Sequence, residues 1–174
     1  MSRNRHIPHG WQCNSCGELI SSFEDGRVEW LCEGGEEETV KIHGLRLVHA
    51  RTSSPESTVS YGCEYNPREE FRKNQSLVEG VSFSAFSGPD GLVLMLSMLA
   101  QRQYPAEQLI ELVKRVHVPG YEEARDLFPR AIGEQVIVLA IGPGYYLQSE
   151  IRDVLQWVAR AVEQTSRKPD AVSP

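Results

Sequence analysis

The sequence predicts an α+β protein: a small antiparallel sheet stabilised by a metal ion, followed by a four- to five-helix domain. Three observations predict it. All four cysteines, Cys13, Cys16, Cys32 and Cys63, fall within the first 63 of 174 residues. Up to about Tyr65 the apolar residues come in short runs broken by Gly and Asp-Gly, the pattern of strands and turns. From Pro67 onward they recur at helical spacing.

Taken in order, residues 1–10 are polar, carry Arg3, Arg5, His6 and His9, and are expected to form a flexible arm. Leu19–Phe23 and Val28–Leu31 flank Glu24-Asp25-Gly26, which predicts a hairpin with Gly where a positive φ is cheap. Residues 33–38 form an acidic, glycine-containing loop whose like charges repel one another. Val40–Ile42 and Leu45–Val48 read as a third and a fourth strand around His43-Gly44, and 51–60 as a surface loop. The β-like module therefore spans 11–66.

A mainly helical domain is expected over 67–165. Pro67 suits a first helical position and is followed by Glu69 and Glu70, acids that favour a helix N-terminus. Residues 76–89 read as a connector. Leu92–Ala100 is apolar on every side, which predicts a central, buried helix. After Pro105, Leu109, Leu112, Val113 and Val116 fall at i, i+3, i+4 and i+7, and Pro119-Gly120 ends that helix. A helix from Tyr121 would place Ala124, Phe128 and Ala131 on one side, kinked at Pro129. Val136–Ile141, β-branched and closed by Gly142-Pro143-Gly144, reads as a strand. The last helix, about Gln148–Thr165, carries a stripe through Ile151, Val154, Leu155 and Val158, and 166–174 is expected to be a disordered tail.

Composition narrows the function classes. The chain is 40% hydrophobic and carries a net charge of −6. No apolar run approaches the roughly 18 residues that span a bilayer, and the first residues carry no apolar core of a secretory signal. A cytoplasmic protein with no membrane partner is expected. The acidity weighs against nucleic acid, whose binders usually show a basic face. The expected partner is another protein, a second copy of this chain included.

The most informative stretch is Trp11-Gln12-Cys13-Asn14-Ser15-Cys16-Gly17. Two thiolates separated by two residues can reach one ion if the chain turns tightly, and the following Gly permits that turn. A redox pair would want its CxxC at a helix N-terminus, whereas here a strand-like run follows. Structural zinc takes four Cys or His ligands. His49 ends a strand, and Cys63 sits beside Gly62. The expected set is Cys13, Cys16, His49 and Cys63, with Cys32 in place of His49 as the alternative. Over about 11–65 the sequence resembles the first half of a zinc ribbon, on the strength of one CxxCG knuckle; a second CxxC is missing. The resemblance implies a structural zinc cofactor.

Enzyme signatures are sparse. No His-x-Glu precedes a Pro-Cys-x-x-Cys as in zinc deaminases, and neither HExxH nor GxxxxGK[ST] occurs. One catalytic order survives: a metal-dependent nuclease of the ββα-metal type combines a zinc knuckle with a strand-borne His, here His49, as base. A second alternative is a helix-turn-helix DNA-binding regulator over 105–132, although Glu122 and Glu123 would repel phosphate where its second helix begins. The reading favoured by the residues is a non-catalytic, zinc-containing accessory or regulatory protein of bacterial type, with no catalytic residue, acting through protein-protein interaction.

Overall fold

A computed structural model describes residues 10–34, 40–55, 60–142 and 144–166. The expected arm over 1–10 apart from Gly10, most of the acidic loop, and the expected tail over 166–174 apart from Ser166 lie outside these. The fold is α+β, and the chain divides into two compact units, Met1–Val118 and Pro119–Pro174.

The first unit begins with two very short strands, β1 (Trp11–Gln12) and β2 (Leu19–Ile20), paired antiparallel with Trp11 opposite Ile20. The knuckle is the loop of this hairpin. A three-stranded antiparallel sheet follows in the order β4-β3-β5, from β3 (Gly26–Glu33), β4 (Lys41–His49) and β5 (Leu77–Ser82). β3 is hydrogen-bonded along both edges, and Val28–Leu31 are all buried, so its two faces both meet core.

Three sequence expectations change here. Leu19–Phe23 does not form a hairpin with Val28–Leu31, because β2 pairs with β1 while β3 takes β4 and β5. The two strands expected around His43-Gly44 are one continuous strand. Gly44, at φ +63, absorbs an irregularity where the register shifts between Glu29 and Leu31, as a bulge glycine does. A Cβ there would lie 2.9 Å from the Tyr65 hydroxyl, so no side chain fits without displacing that ring. Finally, the connector 76–89 contains β5 and a 3-10 turn over Phe83–Phe86 that buries both phenylalanines.

Helix α1 (Pro67–Asn74) starts at Asn66, whose side chain accepts from the Arg68 and Glu69 amides, and has Pro67 at its start as expected. Helices α2 (Gly88–Ala100) and α3 (Ala106–His117) close the core. Met95 and Met98 of α2, and Leu109 and Leu112 of α3, join Val28, Leu47, Phe83 and Phe86 in a single cluster. The rings of Trp11, Phe23 and Phe83 meet one another in tilted and edge-to-face contacts with centroids 4.5–4.9 Å apart, fixing the knuckle hairpin to this core. The expected boundary after residue 66 falls inside this unit, since the helices and the sheet share one core. α2 is not the wholly buried helix its composition suggests: Val93 is 62% and Leu96 53% exposed.

In the second unit the helix expected from Tyr121 is broken into α4 (Tyr121–Ala124), a 3-10 turn (Arg125–Leu127) and α5 (Phe128–Gly133). Pro129 lies in the first turn of α5, where its missing N–H costs nothing. Tyr121, Ala124, Phe128 and Ala131 are buried, as their spacing suggests, and Phe128 stacks on Tyr146 at 3.6 Å. Val136–Ile141 is not a strand. It finds no partner strand among the described residues, and the Ala140 and Leu147 amides donate instead to the Glu150 carboxylate at 3.2 and 2.7 Å. The final helix, α6 (Gln148–Ser166), buries Ile151 and Val154.

Candidate metal centre

The knuckle is built by backbone hydrogen bonds. The Cys13 amide donates to the Glu18 carbonyl at 2.9 Å, and the Gly17 amide returns to the Cys13 carbonyl at 3.0 Å. Gly17 takes φ +80, a left-handed conformation that glycine adopts at little cost. Inside the turn the Ser15 amide donates to Cys13 Sγ at 3.4 Å.

Asn14 then fastens the turn to β4. Its amide donates to the Leu47 carbonyl at 2.8 Å, and its side-chain Oδ1 accepts from the Leu47 amide at 2.9 Å. That pairing brings the thiols to the end of β4, where His49 stands two residues on. The His49 ring is buried, with Nε2 3.2 Å from the Leu19 carbonyl oxygen. A carbonyl only accepts, so Nε2 carries the proton and Nδ1 presents its lone pair. Nδ1 lies 3.5 Å from Cys16 Sγ and 3.8 Å from Cys63 Sγ.

Cys63 arrives from a tight turn in which Gly62 has φ +57 and the Glu64 amide donates to the Tyr61 carbonyl. The Ser54 hydroxyl donates to Cys63 Sγ at 3.1 Å and accepts from the Cys63 amide at the same distance. The turn is held by the pair of half-buried Arg46 with buried Glu29. Arg46 bonds the Glu29 carboxylate at 2.8 Å and the Cys63 carbonyl at 3.2 Å, while the Tyr65 amide donates to Glu29 at 3.0 Å.

The donor atoms of Cys13, Cys16, His49 and Cys63 all lie within 4.8 Å of one another, near enough to hold one metal ion. All four cysteines are free thiols, with Cys13 and Cys63 buried. Their acidities reflect crowding. Burial works against a charged Cys13, but the amides of Cys16, Ser15 and His49 outweigh it and bring the thiol down to about 7. Burial pushes Cys63 up to about 12, with the Ser54 hydroxyl opposing and the neighbouring Cys16 and Cys13 reinforcing the rise. Cys16 is raised by burial and by Cys13 as well. Three thiolates this close repel one another. A divalent cation reverses that balance, because it supplies the largest local charge and deprotonates the thiols it binds. The donor set, three crowded thiols beside an imidazole lone pair, thus fits a metal ion.

The structure brings together all four residues expected as ligands. It leaves Cys32 apart, in β3 opposite Ile42 and Leu77, where burial raises its thiol. His43 faces Glu33 at 2.9 Å and is a strand residue, not a turn residue.

Sequence reasoning missed the supporting residues. Ser54 and Asn14 gave no signal. Arg115, in the last turn of α3, is a buried clamp on the knuckle: it donates to Asn14 Oδ1 at 3.0 Å and to the Gln12 carbonyl at 2.6 Å. The Trp11 indole donates back to the Arg115 carbonyl at 3.2 Å. No protein-family model, curated protein or solved structure matches the chain.

Proposed function

We propose that the chain is a zinc protein in which the metal is structural and the biological work is binding another protein. The observation that carries this reading is the commitment of His49: one ring nitrogen is fixed by the Leu19 carbonyl and the other faces two thiols. Zinc with bonds of about 2.3 Å to sulfur and about 2.0 Å to nitrogen would set tetrahedral S···N separations of about 3.5 Å, and the two in the structure are 3.5 and 3.8 Å. Three sulfurs and one nitrogen complete the tetrahedron. Catalytic zinc keeps a fourth position for water or substrate; this set leaves none.

The same commitment argues against the nuclease alternative, which needs the His49 imidazole free to activate water. The helix-turn-helix alternative loses its second helix, since 121–132 is interrupted by a 3-10 turn and α4 has four residues. The net charge of −6 favours a protein partner over a polyanion. Among the described residues no helix is long and apolar enough to cross a membrane.

The zinc-loaded chain, incubated with single- and double-stranded DNA or RNA and magnesium or manganese, is expected to cleave none of them. Metal-dependent nicking that disappears in His49→Ala while bound zinc is retained would overturn the reading and restore the nuclease.

A further inference from the structure

The four candidate ligands differ in what surrounds them. Cys13, His49 and Cys63 are buried, whereas Cys16 is half-buried in a turn whose other residues, Asn14, Ser15, Gly17 and Glu18, are all exposed. A Cβ built on Gly17 would meet nothing within 4 Å, so the position next to Cys16 opens on solvent. Cys16 is the ligand on the water side of the site. The sulfurs also differ in how firmly they are held. Cys63 is bonded by Ser54 at both its sulfur and its amide, and by Arg46 at its carbonyl. Cys13 Sγ accepts a long bond from the Ser15 amide, at 3.4 Å. It rides on the same short turn as Cys16, and its sulfur lies within 4.8 Å of the Cys16 sulfur.

We propose that Cys16 is an oxidation site, with Cys13 as its resolving thiol: hydrogen peroxide links the two sulfurs and frees the metal. Oxidation follows thiolate character and exposure. Metal binding holds the ligand thiols as thiolates, and among the four ligands only Cys16 combines that state with access. Its thiolate attacks one oxygen of the peroxide, the O–O bond breaks, and a sulfenic acid and a hydroxide form. The Cys13 thiolate then attacks the sulfenyl sulfur, making the S–S bond and expelling the second oxygen as hydroxide. The two sulfurs together give up two electrons, and the peroxide takes both. Cys63 and His49 are left as donors, half of a structural zinc set. Cys63 is the less suitable resolving thiol, because Ser54 and Arg46 fasten it to a separate turn. The turn that would rearrange is the one Arg115 clamps to α3, so oxidation would act on the hairpin and its junction with that helix.

The proposal rests on the zinc reading, and zinc content measured before any oxidant is added tests that reading separately. Peroxide added to the zinc-loaded full chain should then free one zinc for each disulfide formed, followed with a colorimetric chelator and by mass. The tryptic peptide that carries both Cys13 and Cys16 should lose two hydrogens. Brief exposure in the presence of dimedone, which traps sulfenic acids, should label Cys16 ahead of Cys63. Dithiothreitol with added zinc should restore the loaded state. Cys32→Ser, which removes the one thiol outside the site, should respond as the parent does. Zinc retained at a peroxide concentration that oxidises Cys32 overturns the proposal. So does a link from Cys63 to either of the other two, and so does zinc release without a disulfide. A chain that holds no zinc before peroxide is added overturns the metal reading, and this proposal falls with it.

Discussion

The imidazole of His49 has Nε2 on the Leu19 carbonyl and Nδ1 toward Cys16 and Cys63, so its tautomer is set by the backbone before any ion arrives. Its candidacy was legible because it ends an apolar run, and that of Cys63 because it follows a glycine. Cys13 and Cys16 were legible from spacing alone. The groups that hold these four in place were not, because their signals are not local. Asn14 reaches Leu47, 33 residues on, and Arg115 reaches Asn14 across 101 residues. Nothing near either residue announces the contact. Outer groups of this kind typically change metal affinity by about 10–100-fold. Arg115→Met, which keeps length but loses both donors, should therefore lose metal to a competing chelator at least about tenfold more readily than the parent. Unchanged competition would mean that the knuckle turn holds itself.

Elements were legible where a local signal decided them and illegible where the partner decided. α3 and α6 carry their own starts and stripes, with expected bounds within a residue or two of those observed, and α1 carries its own start at Pro67. β5 lacks alternation because it is an edge strand with most of its residues exposed or half-buried, and Val136–Ile141 has strand composition without a strand beside it. α2 is apolar all round, yet only one side is covered; composition cannot tell a buried helix from one with an unpartnered face. One of the buried residues of β3 is a glutamate. Burial raises the Glu29 carboxyl above its usual value, although Arg46 and the Tyr65 amide oppose the shift. A raised native value means that the folded state holds the proton longer than the unfolded chain does. The stability this supplies is complete below the unfolded value, about 4.3, and is lost as pH rises through the native one. Glu29→Gln cannot titrate. Denaturant unfolding of parent and variant across about pH 4 to 7 should show the difference tilting against the parent as pH rises. A difference that is flat, or that tilts the other way, would mean that the pair with Arg46 outweighs desolvation.

For the whole molecule, the sequence conveyed the α+β class and a cluster of candidate metal ligands in its first part, but the division into units depends on tertiary packing. α2 and α3 look like members of a helical domain when read along the chain, whereas their methionines and leucines complete the core under the sheet. The four candidate ligands all lie in the first unit, and the second has its own aromatic stack and its own buried face on α6. Metal-binding energy is folding energy where the ligands lie far apart in sequence, so losing the ion should loosen the knuckle and the Cys63 turn while α6 stays helical. The central claim is that Cys13, Cys16, His49 and Cys63 hold one zinc ion. Elemental analysis of freshly reduced protein, set beside His49→Ala and Cys32→Ser, tests it most directly. The account predicts one zinc per chain in the parent and in Cys32→Ser, and its loss in His49→Ala. Parent protein free of zinc with four freely titratable thiols, or zinc kept by His49→Ala and lost by Cys32→Ser, would contradict it.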